Sequence, residues 1–195
     1  MAITATDIKK LRDMTGAGMM KAKEALESAG GDMDKAVVYL REKGEASAAK
    51  KSDREARAGL IEAYVHGGRI ATMVEINCET DFVAMTDDFK TLARDIAMHV
   101  AAANPEYLDA ASVPAEIIER ERGIYAKEVE GKPAEILEKI VEGKLAKFYE
   151  NVCLVNQPFI KEPEVTIDKL TKAAIAKLGE NIVIRRFVRY ELGQL

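Results

Sequence analysis

The stretch GGRIATMVEINCETDFVA, residues 67–84, decides the fold class because its hydrophobic period changes along its length. The glycine pair at its start supplies the positive φ angles that a two-residue hairpin turn needs. Residues 60–65 before the pair and 69–77 after it therefore predict two antiparallel strands. The apolar residues of the second strand alternate and share one side: Ile70, Val74, Ile76 and Cys78. Since only that side is strongly apolar, we expect an antiparallel sheet covered on one face.

The end of this stretch, CETDFVA at residues 78–84, passes from a strand-like to a helix-like pattern. It places an aromatic residue directly after a carboxylate. The pattern alone favours an ordinary seam, in which Asp81 caps a turn while Phe82 and Val83 close the sheet against the next helix. In that interpretation Phe82 points into the core.

The first 45 residues predict a compact module of three short helices. Thr4 and Asp7 have the spacing of a capping box that begins the first helix, and Gly16 ends it. Asp32 is placed to cap the third helix. So small a module has little core and should not be very stable alone.

Residues 46–58 predict a connector, solvated and either helical or flexible, because they hold charge and alanine but no large apolar side chain. The expected domain division is therefore a three-helix module at 1–45, this charged connector at 46–58, and an α+β core at 59–195.

Four more helices and a last strand are predicted beyond residue 84. Asp87 and Asp88 favour a helix start after Thr86, and Pro105 lies just beyond its end. The other helices are predicted at residues 114–129, 133–149 and 168–178. The tail NIVIRRFVRYELG, residues 181–193, is β-branched and aromatic enough to be a third strand. The fold class is thus α+β, with the three-helix module followed by a three-stranded antiparallel sheet packed with helices.

Composition narrows the function classes. The chain has 195 residues, a net charge of -4 and two cysteines, which are too few for a disulfide framework. No apolar run approaches the roughly 20 residues that a membrane span needs, and no secretory leader pattern precedes the first helix. We therefore expect a cytoplasmic protein. Its acidic balance gives no electrostatic reason to expect nucleic acid as a partner.

The candidate catalytic and ligand-binding motifs are weak. The turn TGAGMMK, residues 15–21, lacks the spacing of a phosphate-binding loop and follows a helix, so it predicts a tight interhelical turn. Its methionines, Met19 and Met20, still form an adaptable surface that suits partner contact. Both histidines and both cysteines are isolated, without zinc spacing or an activated nucleophile: His66, His99, Cys78 and Cys153. No metal, cofactor or catalysis is expected.

Two further features admit a structural and a functional interpretation. His99 follows Ile96 by three residues on an apolar stripe, which favours a packed histidine over one that contacts a partner. Arginines alternate with aromatics in the last strand, at Arg185, Arg186 and Arg189. That pattern resembles a nucleic-acid platform, but strand charges that discourage edge association explain it better in an acidic domain.

Four separated segments together resemble the translation elongation factor Ts family. They are LRDMTGAGMMKAKEAL with GGDMDKAVVYLREKG, then GGRIATMVEINCETDFVA, then KFYENVCLVNQPFIKE, and last GENIVIRRFVRYELG. The first pair is similar to the family's ubiquitin-associated-type three-helix module, and the second segment to its central hairpin and signature. The resemblance spans nearly the whole chain.

This resemblance implies a guanine-nucleotide exchange factor for elongation factor Tu, acting in protein synthesis by promoting GDP release and GTP loading. It implies partner contact that disturbs the magnesium site through four residues: Thr80, Asp81, Phe82 and Val83. Met19, Met20 and His99 are weaker contact candidates. It also implies a homodimer, since the chain has room for one core where longer members carry two related ones. If Phe82 is a wedge, it should be substantially exposed in the free protein.

Two alternatives remain from the residues alone. A nucleic-acid or ribosome-binding module built on the arginine strand would bind RNA with steep salt dependence. An enzyme using Cys78 or Cys153 would lose activity on alkylation.

Overall fold

The computed structural model describes residues 3–129 and 133–194. It confirms the α+β class. The helices are α1 Ala5–Thr15, α2 Met19–Ser28, α3 Met33–Ala49, α4 Asp81–Ala84, α5 Asp87–Ala103, α6 Ala115–Glu128, α7 Ala134–Val152 and α8 Ile167–Leu178. The strands are β1 Ala58–His66, β2 Ile70–Cys78, β3 Pro158–Phe159, β4 Glu162–Thr166 and β5 Ile182–Glu191.

The chain folds into two compact units. The first unit comprises the residues up to Ile61 together with Glu75–Ala93 and Lys169–Arg185. The second unit comprises Glu62–Val74, Arg94–Asp168 and the residues from Arg186 onward. The domain boundaries at 45 and 58 stay a prediction.

The three N-terminal helices form as their caps predict. The Thr4 hydroxyl accepts a hydrogen bond from the Asp7 amide at 3.2 Å, while the Asp7 carboxylate accepts one from the Thr4 amide at 3.0 Å. Gly16 ends α1 with a φ of 68°, a conformation open to glycine. The three helices enclose a small core of Leu11, Ala22, Ala25, Leu26 and Ala36. The third helix continues to Ala49, so the predicted connector begins inside a helix.

Within the first unit, helix α8 supports this three-helix module. The Lys21 ammonium donates to the Ala176 carbonyl oxygen at 3.3 Å. Gly44 approaches so closely that an added Cβ would lie 3.2 Å from the Ala176 methyl group. Contact with α8 thus adds packing to a module that is too small to bury much of its own surface.

The main sheet has the strand order β1-β2-β5 and is antiparallel. In β2 the fully buried residues Val74, Ile76 and Cys78 alternate with more exposed ones, which is the predicted half-covered pattern. The predicted hairpin and third strand are therefore confirmed.

The second unit contains helices α6 and α7, the later part of α5 and a short ribbon. Helix α5 buries Ile96 and Val100, and Thr72 of β2 donates its hydroxyl to the Ala97 carbonyl at 2.9 Å. Helices α6 and α7 share a small core around Val141 and Leu145. Strands β3 and β4 form a separate antiparallel ribbon, which the sequence did not predict.

Candidate functional site

The CETDFVA segment forms a sharp corner followed by one helical turn. Cys78 is the last, fully buried residue of β2, and Thr80 is extended with φ -134° and ψ 154°. Helix α4 then begins at Asp81. Its side chains divide clearly: Ala84 is buried, whereas Phe82 is 87% exposed. The expectation of an exposed Phe82 is confirmed, and the inward alternative is wrong for this residue.

The C-terminal side of this turn is held by Thr86, which directly precedes helix α5. The Thr86 hydroxyl donates to the Val83 carbonyl at 2.7 Å and accepts from the Phe89 amide at 3.3 Å. Phe89 is fully buried at the start of α5. One end of the exposed turn is thus tied to the core.

The opposite side of the turn meets the loop that follows α8. The Glu180 carboxylate accepts two hydrogen bonds from Thr80, one from the amide at 2.9 Å and one from the hydroxyl at 2.6 Å. In return, the Glu79 carboxylate accepts from the Asn181 amide at 2.7 Å. The two loops therefore hold each other through reciprocal side chain to backbone bonds.

Negative charge surrounds this corner. The carboxylates are those of Glu79, Asp81 and Glu180, and the Arg54 guanidinium lies 3.5 Å from Glu79. Burial raises the pKa of the Cys78 thiol, and the nearby charge of Glu180 raises it further. The thiol donates to the Thr80 carbonyl at 3.2 Å, so it serves the corner as a protonated donor.

The weaker contact candidates fall into different settings. Met19 and Met20 begin α2 and are 45% and 77% exposed, so both thioether side chains are accessible from solvent. His99 lies in the second unit and is fully buried. Its Nε2 faces the Gln157 side-chain oxygen at 3.0 Å, and its Nδ1 accepts from the Ile160 amide. Burial lowers the pKa of His99. In the free protein this side chain offers no surface to a partner.

Two residues on which the enzyme and nucleic-acid alternatives depend, Cys153 and Arg189, are poorly placed for those roles. Burial raises the pKa of Cys153 to about 11, which disfavours a nucleophilic thiolate. Arg189 donates to the Ala101 carbonyl at 3.2 Å and pairs with Glu191 at 2.7 Å. In residues 3–129 and 133–194 there is no group of three or more side chains that could hold a metal ion. Among the helices described, none has the length and apolar character to cross a membrane.

Sequence reasoning did not identify Glu180 and Asn181. Both lie in GENIVIRRFVRYELG, one of the resembling segments, but their partners are 100 and 102 residues away along the chain. The sequence signal for this loop was Gly179, which ends α8. Nothing in that signal indicates which loop lies opposite.

Comparison with known proteins gives one consistent result. A sequence model of the family described as Elongation factor TS matches residues 2–194. The Elongation factor Ts of Thermodesulfovibrio yellowstonii is 55% identical over 195 residues, which cover 100% of this chain and 98% of that protein. The protein of the same name from Carboxydothermus hydrogenoformans is 60% identical, over 98% of this chain and 90% of its own length. That from Heliobacterium modesticaldum is 56% identical, over 98% and 91%.

The fold and these relatives define a class, the translation elongation factors. The aligned lengths span both units of the chain. The chain belongs to the elongation factor Ts family.

Proposed function

We propose that this protein is a guanine-nucleotide exchange factor that binds elongation factor Tu with GDP and promotes GDP release and GTP loading. Membership of the elongation factor Ts family supports the role in translation elongation. The observation that carries the mechanism is Phe82, an aromatic side chain 87% exposed on a turn tied at both ends. An exposed aromatic adds little to the stability of a free monomer, whereas a buried aromatic anchor often dominates an interface.

The turn acts as a wedge against the magnesium and phosphate site of the partner. Mg²⁺ requires nearly ideal octahedral geometry and is held largely by water and nucleotide phosphates. Phe82 enters beside this site and displaces a neighbouring segment, while Thr80, Asp81 and Val83 complete the contact. A small displacement weakens the metal and GDP together, because packed elements shift between discrete arrangements.

Exchange requires no covalent chemistry in this scheme. The factor binds nucleotide-free partner more tightly than GDP-bound partner, so linkage requires that it weaken GDP binding by the same factor. By the same reciprocity, incoming GTP weakens the hold of the factor and expels it. The nucleotide concentrations then set the direction of exchange, and the protein is not an enzyme that changes its ligand.

Met19 and Met20 form a second contact in this proposal. They are exposed at the start of α2, and flexible thioethers adapt to a partner surface. The protein works in the cytoplasm as a homodimer, in which the second copy supplies the core surface that longer family members carry in one chain. We expect no direct contact with nucleic acid or membrane.

The test is release of fluorescent GDP from elongation factor Tu. Substoichiometric amounts of the protein should accelerate release, because each molecule acts repeatedly. No acceleration at any ratio would contradict the proposed function. In parallel, binding of RNA with a steep salt dependence, without an effect on GDP, would favour the arginine-strand alternative.

A further inference from the structure

We propose that Glu180 is a positioning residue for exchange: through its two hydrogen bonds to Thr80, it sets the direction in which Phe82 points. The inference rests on the proposed function and extends it to a residue outside the signature segment. It assigns the control of the exposed turn to the loop after α8.

The geometry at Thr80 fixes an orientation as well as a position. One Glu180 oxygen accepts the backbone amide at 2.9 Å, and the other accepts the hydroxyl at 2.6 Å. Hydrogen bonds to an ionised carboxylate are shorter and stronger than those between neutral groups. Because the two donors belong to one residue, the pair restrains both its backbone and its side chain.

The hydroxyl of Thr80 does not cap its own helix. A threonine at the N-cap of a helix normally accepts a hydrogen bond from an amide of the first turn. Thr80 is the N-cap of α4, yet its side chain makes no such bond and donates to Glu180 instead. The side chain of the residue that begins the turn is thus held by another loop and not by its own helix.

The loop that carries Glu180 is itself fixed. Gly179 ends α8 with a φ of 85°, and its amide donates to the Ile175 carbonyl at 2.9 Å. Asn181 is buried, and its side chain donates to the Arg54 carbonyl at 2.7 Å while its amide donates to Glu79. Glu180 therefore lies between two residues whose backbones are held by hydrogen bonds. This restrains the backbone from which its carboxylate reaches Thr80.

Phe82 depends on the supports of its turn, of which Glu180 holds the N-terminal side and Thr86 the C-terminal side. Helix α4 has four residues, far below the length at which a helix is stable alone. Phe82 is 87% exposed, so it has almost no packing of its own. Its direction follows the backbone of the turn, and a turn held in the bound geometry loses less freedom on binding.

The first test uses the free protein. Glu180→Ala should speed amide hydrogen exchange about tenfold at Ala84 and Met85, whose amides bond to Thr80 and Asp81 across the turn. Glu138→Ala removes an exposed carboxylate of α7 and should leave those rates unchanged. Unchanged rates in Glu180→Ala would overturn the inference, whether or not the protein acts on elongation factor Tu.

The second test measures GDP release. Glu180→Ala should lower the maximal release rate about tenfold, with less than about a threefold change in the half-saturating concentration. Thr80→Val, which keeps the amide and loses the hydroxyl, should show a smaller loss of the same kind.

The deciding comparison repeats Glu180→Ala in a Phe82→Ala background, where a residue that acts through Phe82 has no further effect. An additional loss in that background would identify a general structural role and overturn the inference. An active wild type with an unimpaired Glu180→Ala would overturn it as well. An inactive wild type would instead refute the proposed function, and hydrogen exchange would still decide whether Glu180 holds the turn.

Discussion

At the scale of single residues, the aromatic side chains of Phe82 and His99 have opposite exposure to solvent. Phe82 has nearly all its surface in solvent, while His99 has none. The apolar pattern around each suggested a packed residue, yet the turn at Thr80 carries Phe82 out of the core. The two residues differ in exposure because the backbone runs in different directions at the two positions, and the spacing of apolar residues does not predict that direction.

Replacing Phe82 by alanine should separate stability from function. Because the side chain is exposed, the free energy of unfolding should change by less than about 0.5 kcal/mol. If Phe82 is an interface anchor, GDP release should slow by roughly 30-fold or more, the equivalent of about 2 kcal/mol. Urea denaturation and fluorescent GDP release measure the two effects. Ile136→Ala on α7, another exposed apolar residue, serves as the control and should leave both unchanged.

His99 should make stability depend on pH. Burial lowers its pKa in the folded protein, whereas the unfolded chain has the ordinary value of about 6.5. Below that value the unfolded state binds a proton that the folded state does not, so acid favours unfolding. The free energy of unfolding should fall as the pH drops from 6.5 toward the lowered pKa, by up to about 1.4 kcal/mol per pH unit.

The measurement is urea denaturation between pH 7 and pH 5. His99→Gln should be less stable at neutral pH but should lose this part of the pH slope. His66→Gln, at an exposed position, should retain it. An identical slope in wild type and His99→Gln would show that another group is responsible.

At the scale of elements, the helices and the main sheet follow from local signals. Capping residues, glycine stops and a change of period from helix to strand are all short-range features, and they predicted the three-helix module and the hairpin. Helix α3 continues to Ala49 because alanine and charged residues favour a helix even without an apolar face. The first residues of the predicted connector are therefore helical, which is one of the two conformations expected for it.

The sequence did not predict the elements that depend on distant contacts. Strands β3 and β4 are short, and Pro163 lies inside β4, where a proline argues against a regular strand. Thr80 and Glu180 meet across 100 positions, which neither spacing nor propensity reveals. The exposed signature could thus be identified by resemblance, whereas the side chain that holds it required the fold.

Gly59 tests how closely β1 approaches β2. Its φ is 142°, and a Cβ at this position would lie 2.1 Å from the Ile76 carbonyl oxygen, a contact with backbone that cannot move aside. Gly59→Ala should therefore lower the free energy of unfolding by at least about 2 kcal/mol. Gly123→Ala, where the new methyl group meets nothing within 4 Å inside α6, should instead raise it by up to about 1 kcal/mol. Thermal or urea unfolding of both variants measures the difference, and equal effects would contradict the proposed close approach.

At the scale of the whole molecule, the proposed function involves two copies of the chain. The chain has a mass of 21.4 kDa, and its last strand leaves Tyr190 66% exposed. The proposed homodimer rests on the resemblance to short family members, and the exposed Tyr190 makes the last strand one candidate for its surface.

Sedimentation at working concentration should give twice the mass of one chain. Tyr190→Asp would place a charge in the proposed interface and should shift the protein toward monomer, with slower GDP release. Ile136→Asp on α7 is the matched control and should remain dimeric. A wild-type monomer that is fully active would refute the homodimer and its role in exchange.

Both native thiols are sealed inside the fold, and this has a practical consequence for labelling. Cys78 and Cys153 are fully buried with raised pKa values, so maleimide should leave them unmodified until the protein unfolds. A cysteine introduced at Met14, an exposed position of α1, would then be the reactive thiol of the folded protein. Mass spectrometry would verify one adduct per chain, and a dye at that position would report docking of the N-terminal helices without any deletion of native cysteines.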